Sequence, residues 1–208
     1  HVASLIAGEK AGVAPQADLV SVSVFRNRQA QPEAVVAALA WVMKEQHVHV
    51  INLSAGFRPN TEVFASVVNQ ILQAGILVVC VSGNSANICT SPGDYDAVLT
   101  VGASTPSGTA WRGAAGEGSG SGKARTAPFS VVPDLLAPGV EVWGAWPGDK
   151  YRALTGTSMA TPIVSGLAAL EYEKCNSLVA VDSVIKILMD RADAAPDTRR
   201  SRRGLVRA

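Results

Sequence analysis

A run of six residues without a polar side chain, Ile-Leu-Val-Val-Cys-Val at 76–81, is the strongest constraint on how this chain folds. A strand built from it must be covered on both faces. The runs 48–53 and 97–101 are also largely apolar, and residues 32–46 carry apolar side chains at helical spacing. Fully apolar strands that alternate with helices predict an α/β fold, with a mostly parallel sheet between two helical layers.

Three further segments have recognisable patterns. Residues 19–24 alternate between Ser and β-branched or apolar residues, which predicts a strand. Asn60 or Thr61 is a candidate cap for a second helix that Gly75 ends. Residues 1–8 are typical of a helix interior, so the chain is expected to begin inside a domain.

Composition excludes several classes of protein. A length of 208 residues suits one or at most two domains, and a hydrophobic content of 48% supplies a core. Eighteen basic and 17 acidic residues leave a net charge of +1, so we expect no nucleic-acid partner and no membrane partner. The basic cluster at 199–203 is interpreted as a solvated tail, and no apolar run is long enough to span a membrane.

The three cysteines do not form a recognisable framework. Cys80, Cys89 and Cys175 are too few for a disulfide-rich fold, and their spacing is not that of metal ligands. Cys80 is expected to be a buried thiol. A bridge between Cys80 and Cys89 stays open as an alternative.

Small residues follow two of the predicted strands. Ser54-Ala55-Gly56 comes after the first, and Ser82-Gly83-Asn84 comes after the second. In open α/β sheets, ligands bind at the carboxyl ends of the parallel strands, and small side chains let a ligand approach the backbone. A substrate cleft is therefore predicted there.

The segment 155–162, Thr-Gly-Thr-Ser-Met-Ala-Thr-Pro, sets the hydroxyl of Ser158 at the start of a predicted helix. Pro162 fits only the first turn of that helix. Unpaired N–H groups and the helix dipole favour negative charge at this point, so Ser158 is a candidate nucleophile beside a forming oxyanion. An ordinary helix cap is the alternative interpretation of Gly-Thr-Ser by itself.

The whole octapeptide closely resembles the nucleophile signature of the subtilisin-like serine peptidases, the subtilases. Residues 50–56 resemble the substrate-binding strand of that family, and residues 79–84 resemble its oxyanion-hole segment. Residues 91–93, 98–103 and 136–139 follow in the family's order. The resemblance implies that residues 1–208 form one catalytic domain with the family's three-layer fold.

The same resemblance implies roles for individual residues. Ser158 becomes the nucleophile of an endopeptidase with polypeptide substrates, and the Asn84 amide with the Ser158 N–H becomes the oxyanion hole. The segments Ser54, Ala55, Gly56 and Ser82, Gly83 become the substrate-binding walls.

The catalytic Asp and His are not expected within the chain. His1-Val2-Ala3 resembles the second half of the family's His-Gly-Thr-His-Val-Ala motif, so His1 stands three positions beyond the base. The acid, the base and the first strand of the sheet are expected in an upstream segment or pro-segment. His47 and His49 are predicted to lie at the opposite end of the sheet, and the aspartates at 18, 94, 96 and 134 are expected in turns or caps.

The resemblance also bears on calcium, compartment and loops. Calcium is possible at the family's sites, but the turn 8–12 is shorter than the family's calcium loop, so we expect no metal there. Most subtilases are exported, and secretion is the corresponding expectation. Residues 107–128 are interpreted as a flexible insertion, since the glycine-rich part at 116–123 lacks the residues of a phosphate loop.

One alternative comes from another class of protein. A fragment without the base could act as a peptide-binding or complementation module that keeps the cleft. A nucleotide-binding protein is disfavoured by the failed phosphate-loop pattern.

Overall fold

A computed structural model describes residues 1–27, 29–45, 47–86, 88–115, 133–194 and 204–206. Within these ranges the helices are α1 (Val2–Ala7), α2 (Pro32–Glu45), α3 (Ala65–Gln73), α4 (Thr157–Lys174) and α5 (Val181–Asp190). The strands are β1 (Phe25–Arg26), β2 (Gln29–Ala30), β3 (Val50–Leu53), β4 (Leu77–Val81), β5 (Leu99–Ser104), β6 (Leu135–Pro138), β7 (Val142–Trp146) and β8 (Lys150–Leu154).

The central sheet has four parallel strands in the order β3-β4-β5-β6. Val50 pairs with Leu77, Val79 with Leu99, and Val101 with Leu135. All side chains of β4 and β5 are buried. The apolar runs therefore predicted the parallel sheet correctly.

Helices cover the two faces of the sheet. One core joins Val79 and Val101 to α4 and α5 through residues such as Val164 and Val184. The other core joins Val78 and Cys80 to α2 and α3 through Val35, Phe64 and Ile71. Successive residues of β4 thus enter different cores, as strand geometry requires. The predicted three-layer α/β fold is confirmed.

Helix α4 is the central helix. It packs on every strand of the parallel sheet and on α1. Gly166 allows the close approach to the turn after α1, because a Cβ there would lie 2.7 Å from the Cβ of Val13.

Pro162 is the sixth residue of the helix and lies in its second turn, not in the first turn as predicted. The Ser158 carbonyl, four residues earlier, accepts from Ser54 Oγ instead of from a backbone N–H at 162. The Thr161 and Ser165 hydroxyls bond to carbonyls one turn back.

The strand predicted at 19–24 is not formed. The structure leaves these residues outside any strand, and Leu19 and Val20 are 46% and 44% exposed. Alternating β-branched residues form a strand only where a neighbour supplies hydrogen bonds, and no described strand pairs with this segment. The short hairpin β1 and β2 follows it instead.

The helix predicted from Asn60 or Thr61 begins later, at Ala65. The Asn60 amide donates to the Cys89 carbonyl at 3.1 Å, and the Thr61 N–H donates to Ser91 Oγ at 3.0 Å. These bonds tie residues 60 and 61 to the loop after β4, and Phe64 takes the N-cap position without a side-chain cap bond. Gly75, with φ at +79°, follows its end as expected.

The predicted insertion at 107–128 needs a narrower boundary. The Trp111 N–H donates to the Ala103 carbonyl at 2.8 Å, and Ala114 and Ala115 are buried. Residues 107–115 are therefore part of the packed fold. Residues 116–128, with the phosphate-loop candidate, and the basic cluster at 199–203 lie outside the described residues.

The structure also describes the cysteines and the lengths of the helices. None of the three cysteines is in a disulfide bond, and Cys80 and Cys89 are buried, so the open Cys80–Cys89 alternative is not formed. Within the described ranges, no helix combines the length and apolar character that a membrane span needs.

Glu171 fixes α4 to the end of α5. Its side chain is 6% exposed and forms ion pairs with Lys174 at 2.8 Å and with Arg191. Burial alone would raise the pKa of this carboxyl, but the hydrogen bonds and charges of Lys174 and Arg191 outweigh it and lower the pKa. The ionised pairs thus stabilise the fold above the unfolded-state pKa, and this contribution is lost as pH falls through the lower folded-state pKa.

We predict that Glu171→Gln lowers the free energy of unfolding by about 1–2 kcal/mol at pH 7, since both partners are exposed enough to be solvated. The difference from wild type should close as pH falls below about 4. Urea unfolding at the two pH values measures it. Lys186→Gln, which breaks an exposed pair with Asp190, is the control and should change stability by less than about 0.5 kcal/mol. A Glu171→Gln deficit that persists unchanged at pH 3 would contradict the prediction.

Candidate active site

The carboxyl end of β3 and the first turn of α4 are joined by two reciprocal hydrogen bonds. Ser158 Oγ donates to the Ser54 carbonyl at 3.1 Å, and Ser54 Oγ donates to the Ser158 carbonyl at 3.3 Å. Ser158 is half-buried. Its backbone N–H belongs to the first helical turn, where N–H groups have no acceptor within the helix.

Asn84 lies in the loop after β4 and contacts the first residue of the same helix. Its Oδ1 accepts hydrogen bonds from the Thr157 N–H and from Thr157 Oγ1, both at 2.9 Å. A backbone N–H can only donate, so the atom facing it must be the amide oxygen. Nδ2 is then the end of the amide that remains to donate to a ligand. The structure thus brings Asn84 and Ser158 together at the carboxyl end of the sheet.

Gly156 permits this contact. Its φ of +154° and ψ of 166° lie in a region that only glycine populates readily. A Cβ at this position would lie 3.0 Å from Asn84 Nδ2. Both the backbone conformation and the nearness of the Asn84 amide therefore require a glycine before Thr157.

A narrow space separates the two predicted substrate-binding walls. The segments Ser54, Ala55, Gly56 and Ser82, Gly83 leave the neighbouring strands β3 and β4 at the same edge of the sheet. Thr90 lies between them. A Cβ on Gly56 would meet Thr90 Oγ1 at 2.0 Å, and one on Gly83 would meet Thr90 Cγ2 at 3.0 Å.

Thr90 is the site residue that the sequence did not single out. It is 7% exposed, and among the described residues no partner bonds to its hydroxyl. Its backbone N–H donates to the Ser82 carbonyl at 3.0 Å, which returns the loop to the cleft. The only sequence signal was its place in the loop after Asn84, which fixes neither its direction nor its depth.

A polar cluster holds that loop from behind. Ser91 Oγ donates to Asp94 Oδ2 at 3.1 Å, and the Asn60 amide donates to the same oxygen. The Tyr95 hydroxyl donates to the Thr61 carbonyl. Burial, followed by the charge of Glu62, raises the pKa of Tyr95 to about 12, so the phenol stays protonated at neutral pH. Asp94 is thus a structural residue, as predicted.

The segment before residue 116 supports the Asn84 loop from the other side. The Ala115 N–H donates to the Gly83 carbonyl at 2.9 Å, and the Ala86 N–H donates to the Gly113 carbonyl at 3.0 Å. The loop that carries Asn84 is therefore braced on two sides.

The three histidines take other positions. His1 Nε2 lies 3.1 Å from the Val142 carbonyl and 3.0 Å from the Arg152 carbonyl, so it links α1 to the β7–β8 hairpin. His47 and His49 precede β3, whereas Ser54 follows it, which puts them at the opposite end of the strand from Ser158. Asp134 accepts a hydrogen bond from the Thr100 N–H at the amino end of β5, in a buried structural position.

The turn after α1 closes on itself. The Gly12 N–H donates to the Gly8 carbonyl at 2.7 Å. Across the described ranges, no group of three or more His, Cys, Asp and Glu side chains is placed to hold a metal ion.

Fold and site together define an α/β protein in which a serine at the start of the central helix faces an oriented carboxamide at the carboxyl end of a parallel sheet. Comparison with known proteins gives the family. Residues 1–205 match the profile of the subtilase family, described as peptidase S8. The chain belongs to this family of serine peptidases.

Individual relatives agree. The chain is 34% identical to Subtilisin BL of Lederbergia lenta over 181 residues, covering 84% of this chain and 62% of the relative. It is 34% identical to M-protease of Shouchella clausii (strain KSM-K16), covering 84% of this chain and 44% of the relative. It is 36% identical to the subtilisin-like proteinase Mp1 of Magnaporthiopsis poae, covering 90% and 47%. The chain thus spans about half the length of these relatives.

Solved structures share the fold. A cold-adapted subtilisin-like serine proteinase superposes with a TM-score of 0.86 at 29% identity, covering 99% of this chain and 72% of that protein. The S218A mutant of the protease domain of PatA superposes with a TM-score of 0.80 at 28% identity, covering 100% and 76%.

We predict that Gly156→Ala lowers the free energy of unfolding by about 3 kcal/mol or more, because it adds a contact with Asn84 to an unfavourable backbone conformation. Gly148→Ala is the matched control. Its φ is +79° and a Cβ there would meet nothing within 4 Å, so only about 1–2 kcal/mol should be lost. Urea unfolding compares the two. Equal losses would show that Asn84 is not held against Gly156.

Proposed function

We propose that this chain is the Ser158-bearing part of a subtilisin-type serine endopeptidase. One observation carries the proposal. The Asn84 amide is oriented by Thr157 so that Nδ2 is free to donate, beside a serine in the first turn of a buried helix. Such a pair of donors stabilises charge that develops on a carbonyl oxygen.

In the proposed reaction, Ser158 Oγ attacks the carbonyl carbon of a peptide bond. The carbonyl oxygen becomes an oxyanion, which accepts hydrogen bonds from Asn84 Nδ2 and the Ser158 N–H. The proton of Ser158 passes to a base, which returns it to the leaving amine as the C–N bond breaks. Water then attacks the acyl-enzyme, releases the acid and restores the serine.

The proposed base is a histidine upstream of residue 1, oriented by an upstream aspartate. Two contacts support this part of the proposal. The Ser158 hydroxyl donates to a backbone carbonyl, and His1 Nε2 lies within hydrogen-bond distance of the Val142 and Arg152 carbonyls. The upstream segment, or a pro-segment, would be the partner that completes the triad.

A second function has a specific observation in its favour. Because Ser158 Oγ donates to Ser54 O at 3.1 Å, the described residues give it an acceptor that cannot take its proton. A chain used without an upstream segment would bind peptide and leave it intact. This is the complementation or peptide-binding module, and the experiment below separates it from the enzyme.

The proposed substrate is polypeptide in an extended conformation. Gly56 and Gly83 would let its backbone approach the two walls, and Thr90 would meet the side chain that precedes the cleaved bond. Export from the cell, and the absence of calcium from the turn at 8–12, remain proposals that follow from the family and from the closed turn.

We predict that the 208-residue chain is essentially inactive and that an extended form with the upstream Asp and His hydrolyses peptides. Loss of a triad member costs about 10⁶ in turnover, a magnitude measured on a relative in this family. The oxyanion hole and binding alone are worth about 10³–10⁴ over water, so a small residual rate is expected. Peptide cleavage and labelling by a fluorophosphonate measure both forms.

Two variants of the extended form serve as controls. Ser158→Ala should remove labelling, and Asn84→Ala should lower turnover by about 10²–10³, again a magnitude known from a relative. Rapid labelling of Ser158 in the 208-residue chain by itself would overturn the assignment of the base. An inert extended form that still binds peptide would favour the non-catalytic alternative.

Thr90 should set the size of the preferred side chain. In the extended form, Thr90→Gly is predicted to raise the kcat/KM ratio of Phe over Ala at the residue before the cleaved bond by about 10–200-fold, because it opens the space between Gly56 and Gly83. Thr90→Val keeps the volume and removes only the hydroxyl, so it should leave the ratio near that of the parent. Equal shifts in both variants would mean that volume does not decide the preference.

A further inference from the structure

A row of polar side chains crosses the contact between β3 and α4. Ser165 Oγ donates to Asn52 Oδ1 and Asn52 Nδ2 donates to Ser54 Oγ, both at 3.0 Å. Ser54 Oγ in turn donates to the Ser158 carbonyl at 3.3 Å. Residues 52 and 54 lie on one side of the extended chain because strand side chains alternate, and residues 158 and 165 lie on one face of the helix. These four residues form a polar ladder that ends at the proposed nucleophile.

The polar ladder has a direction, because each of its groups can donate only from certain atoms. A serine hydroxyl has one proton, whereas a carboxamide donates from its nitrogen and accepts at its oxygen. The Ser165 proton meets the oxygen of Asn52, so the nitrogen of that amide faces Ser54 Oγ. Ser54 Oγ accepts there and directs its own proton to the Ser158 carbonyl. The hydroxyl of Ser165 therefore sets the direction of the two bonds that follow.

A second direction is open to the same four residues. The Thr161 carbonyl lies 3.1 Å from Ser165 Oγ, so the single proton of Ser165 has two acceptors. When this proton turns to Thr161, Ser165 Oγ is left to accept from the Asn52 nitrogen. The Asn52 oxygen then faces Ser54 and takes the proton of its hydroxyl. In this second direction, the Ser158 carbonyl loses its bond to Ser54.

The Ser158 carbonyl depends on Ser54 because of the proline that follows it in the helix. A helical carbonyl normally accepts from the N–H four residues later, and here that residue is Pro162, which has no N–H. Ser54 Oγ supplies a bond from the strand in place of the missing backbone bond. When Ser158 Oγ leaves the Ser54 carbonyl for a base, this second contact is still present. It therefore holds the strand against the nucleophile throughout the proposed reaction.

We propose that Ser165 and Asn52 are positioning residues for Ser158, because they keep the Ser54 hydroxyl directed at the Ser158 carbonyl. The inference rests on the proposed function, in which residues 54–56 hold the substrate and Ser158 attacks it. Substrate and nucleophile then belong to different elements, and the polar ladder sets the distance between them. A displacement of about 1 Å between reacting groups can cost about 10² in rate. Neither positioning residue belongs to the substrate-binding walls or the oxyanion hole, so their loss should slow the attack and leave substrate binding unchanged.

The first test compares variants of the extended form by peptide hydrolysis. Ser165→Ala removes the proton that sets the direction, so we expect kcat to fall about tenfold while KM stays within about twofold. Ser165→Thr keeps a hydroxyl at this position and should restore most of kcat. Asn52→Asp conserves the size of the side chain, but a carboxylate only accepts, so the Ser54 proton turns to it. Its kcat should fall at least as far as that of Ser165→Ala.

Glu171→Gln is the matched control for a merely structural role. The substitution lies on the same helix and weakens the ion pairs of Glu171 with Lys174 and Arg191, which lowers stability without touching the polar ladder. Its kcat and KM should equal those of the parent. If Ser165 only stabilised the fold, Ser165→Ala would behave as this control does, with a lower unfolding midpoint and an unchanged kcat.

A second measurement needs no hydrolysis. In the 208-residue chain labelled with ¹⁵N, the side-chain NH₂ protons of Asn52 report their own bond to Ser54 Oγ. Ser165→Ala should speed the exchange of these protons with solvent about tenfold, because the amide loses the partner that fixes its orientation. The backbone amides of β4 should exchange as they do in the parent, which shows that the sheet is intact.

The proposal is overturned by a kcat of Ser165→Ala or Asn52→Asp equal to that of the parent, by a Ser165→Thr form as slow as Ser165→Ala, or by unchanged exchange at Asn52. A fall in kcat/KM that comes from KM alone would also overturn it, since Ser165 would then act in substrate binding. An extended form that hydrolyses peptides and does not respond to Ser165→Ala keeps the endopeptidase and rejects the positioning role. An inert extended form rejects the endopeptidase and the positioning role together, even where the exchange at Asn52 confirms the polar ladder.

Discussion

The candidate site depends on the junction between the end of β3 and the start of α4. Ser54 and Ser158 exchange two hydrogen bonds there, and Asn52 extends the contact because its amide donates to Ser54 Oγ at 3.0 Å. The hydroxyl of Ser165, a residue that is 2% exposed, donates to the side-chain oxygen Oδ1 of Asn52 at 3.0 Å. A polar ladder thus follows the buried face of α4 and ends at Ser158. Because buried polar groups must be satisfied, sliding the helix along the sheet would break several bonds at once.

The sequence predicted those parts of the fold whose residues determine their own surroundings. The six apolar residues at 76–81 must be covered on both faces of the strand that they form, and every side chain of β4 is buried. The same logic failed for residues 19–24, because alternation specifies a face and not a hydrogen-bonding neighbour. It failed for Asn60 and Thr61 because residues that suit helix caps also suit loops, and here hydrogen bonds to Cys89 and Ser91 hold this stretch in the loop before the helix. The β7–β8 hairpin and α5 were not singled out.

The residues of the candidate site likewise fall into those that the sequence predicted and those that it did not. Ser158 and Asn84 each follow directly from a chain segment with its own geometry, a helix start and a strand end. Thr90 does not, because its position depends on how the loop after Asn84 returns between Gly56 and Gly83. The hydrogen bonds of Gly113 and Ala115 to the Asn84 loop could not be predicted for a similar reason. A stretch rich in Gly, Ser and Ala is typical of a loop, yet alanine is small enough to be buried against Gly83 when the backbone supplies the hydrogen bonds.

The oxyanion donor and the hydroxyl of Ser158 are held by different contacts. Asn84 lies in the loop after β4 and bonds to Thr157, and β4 and α4 pack on each other and on β5. Ser158 Oγ instead donates to the carbonyl of Ser54, the residue that directly follows β3. A backbone carbonyl is not a general base, so these contacts hold Asn84 and Ser158 in place without a group that removes the serine proton. In the proposed reaction, activation of the serine therefore requires that a base replace the Ser54 carbonyl as the partner of Ser158 Oγ, while the bonds between Asn84 and Thr157 stay unchanged.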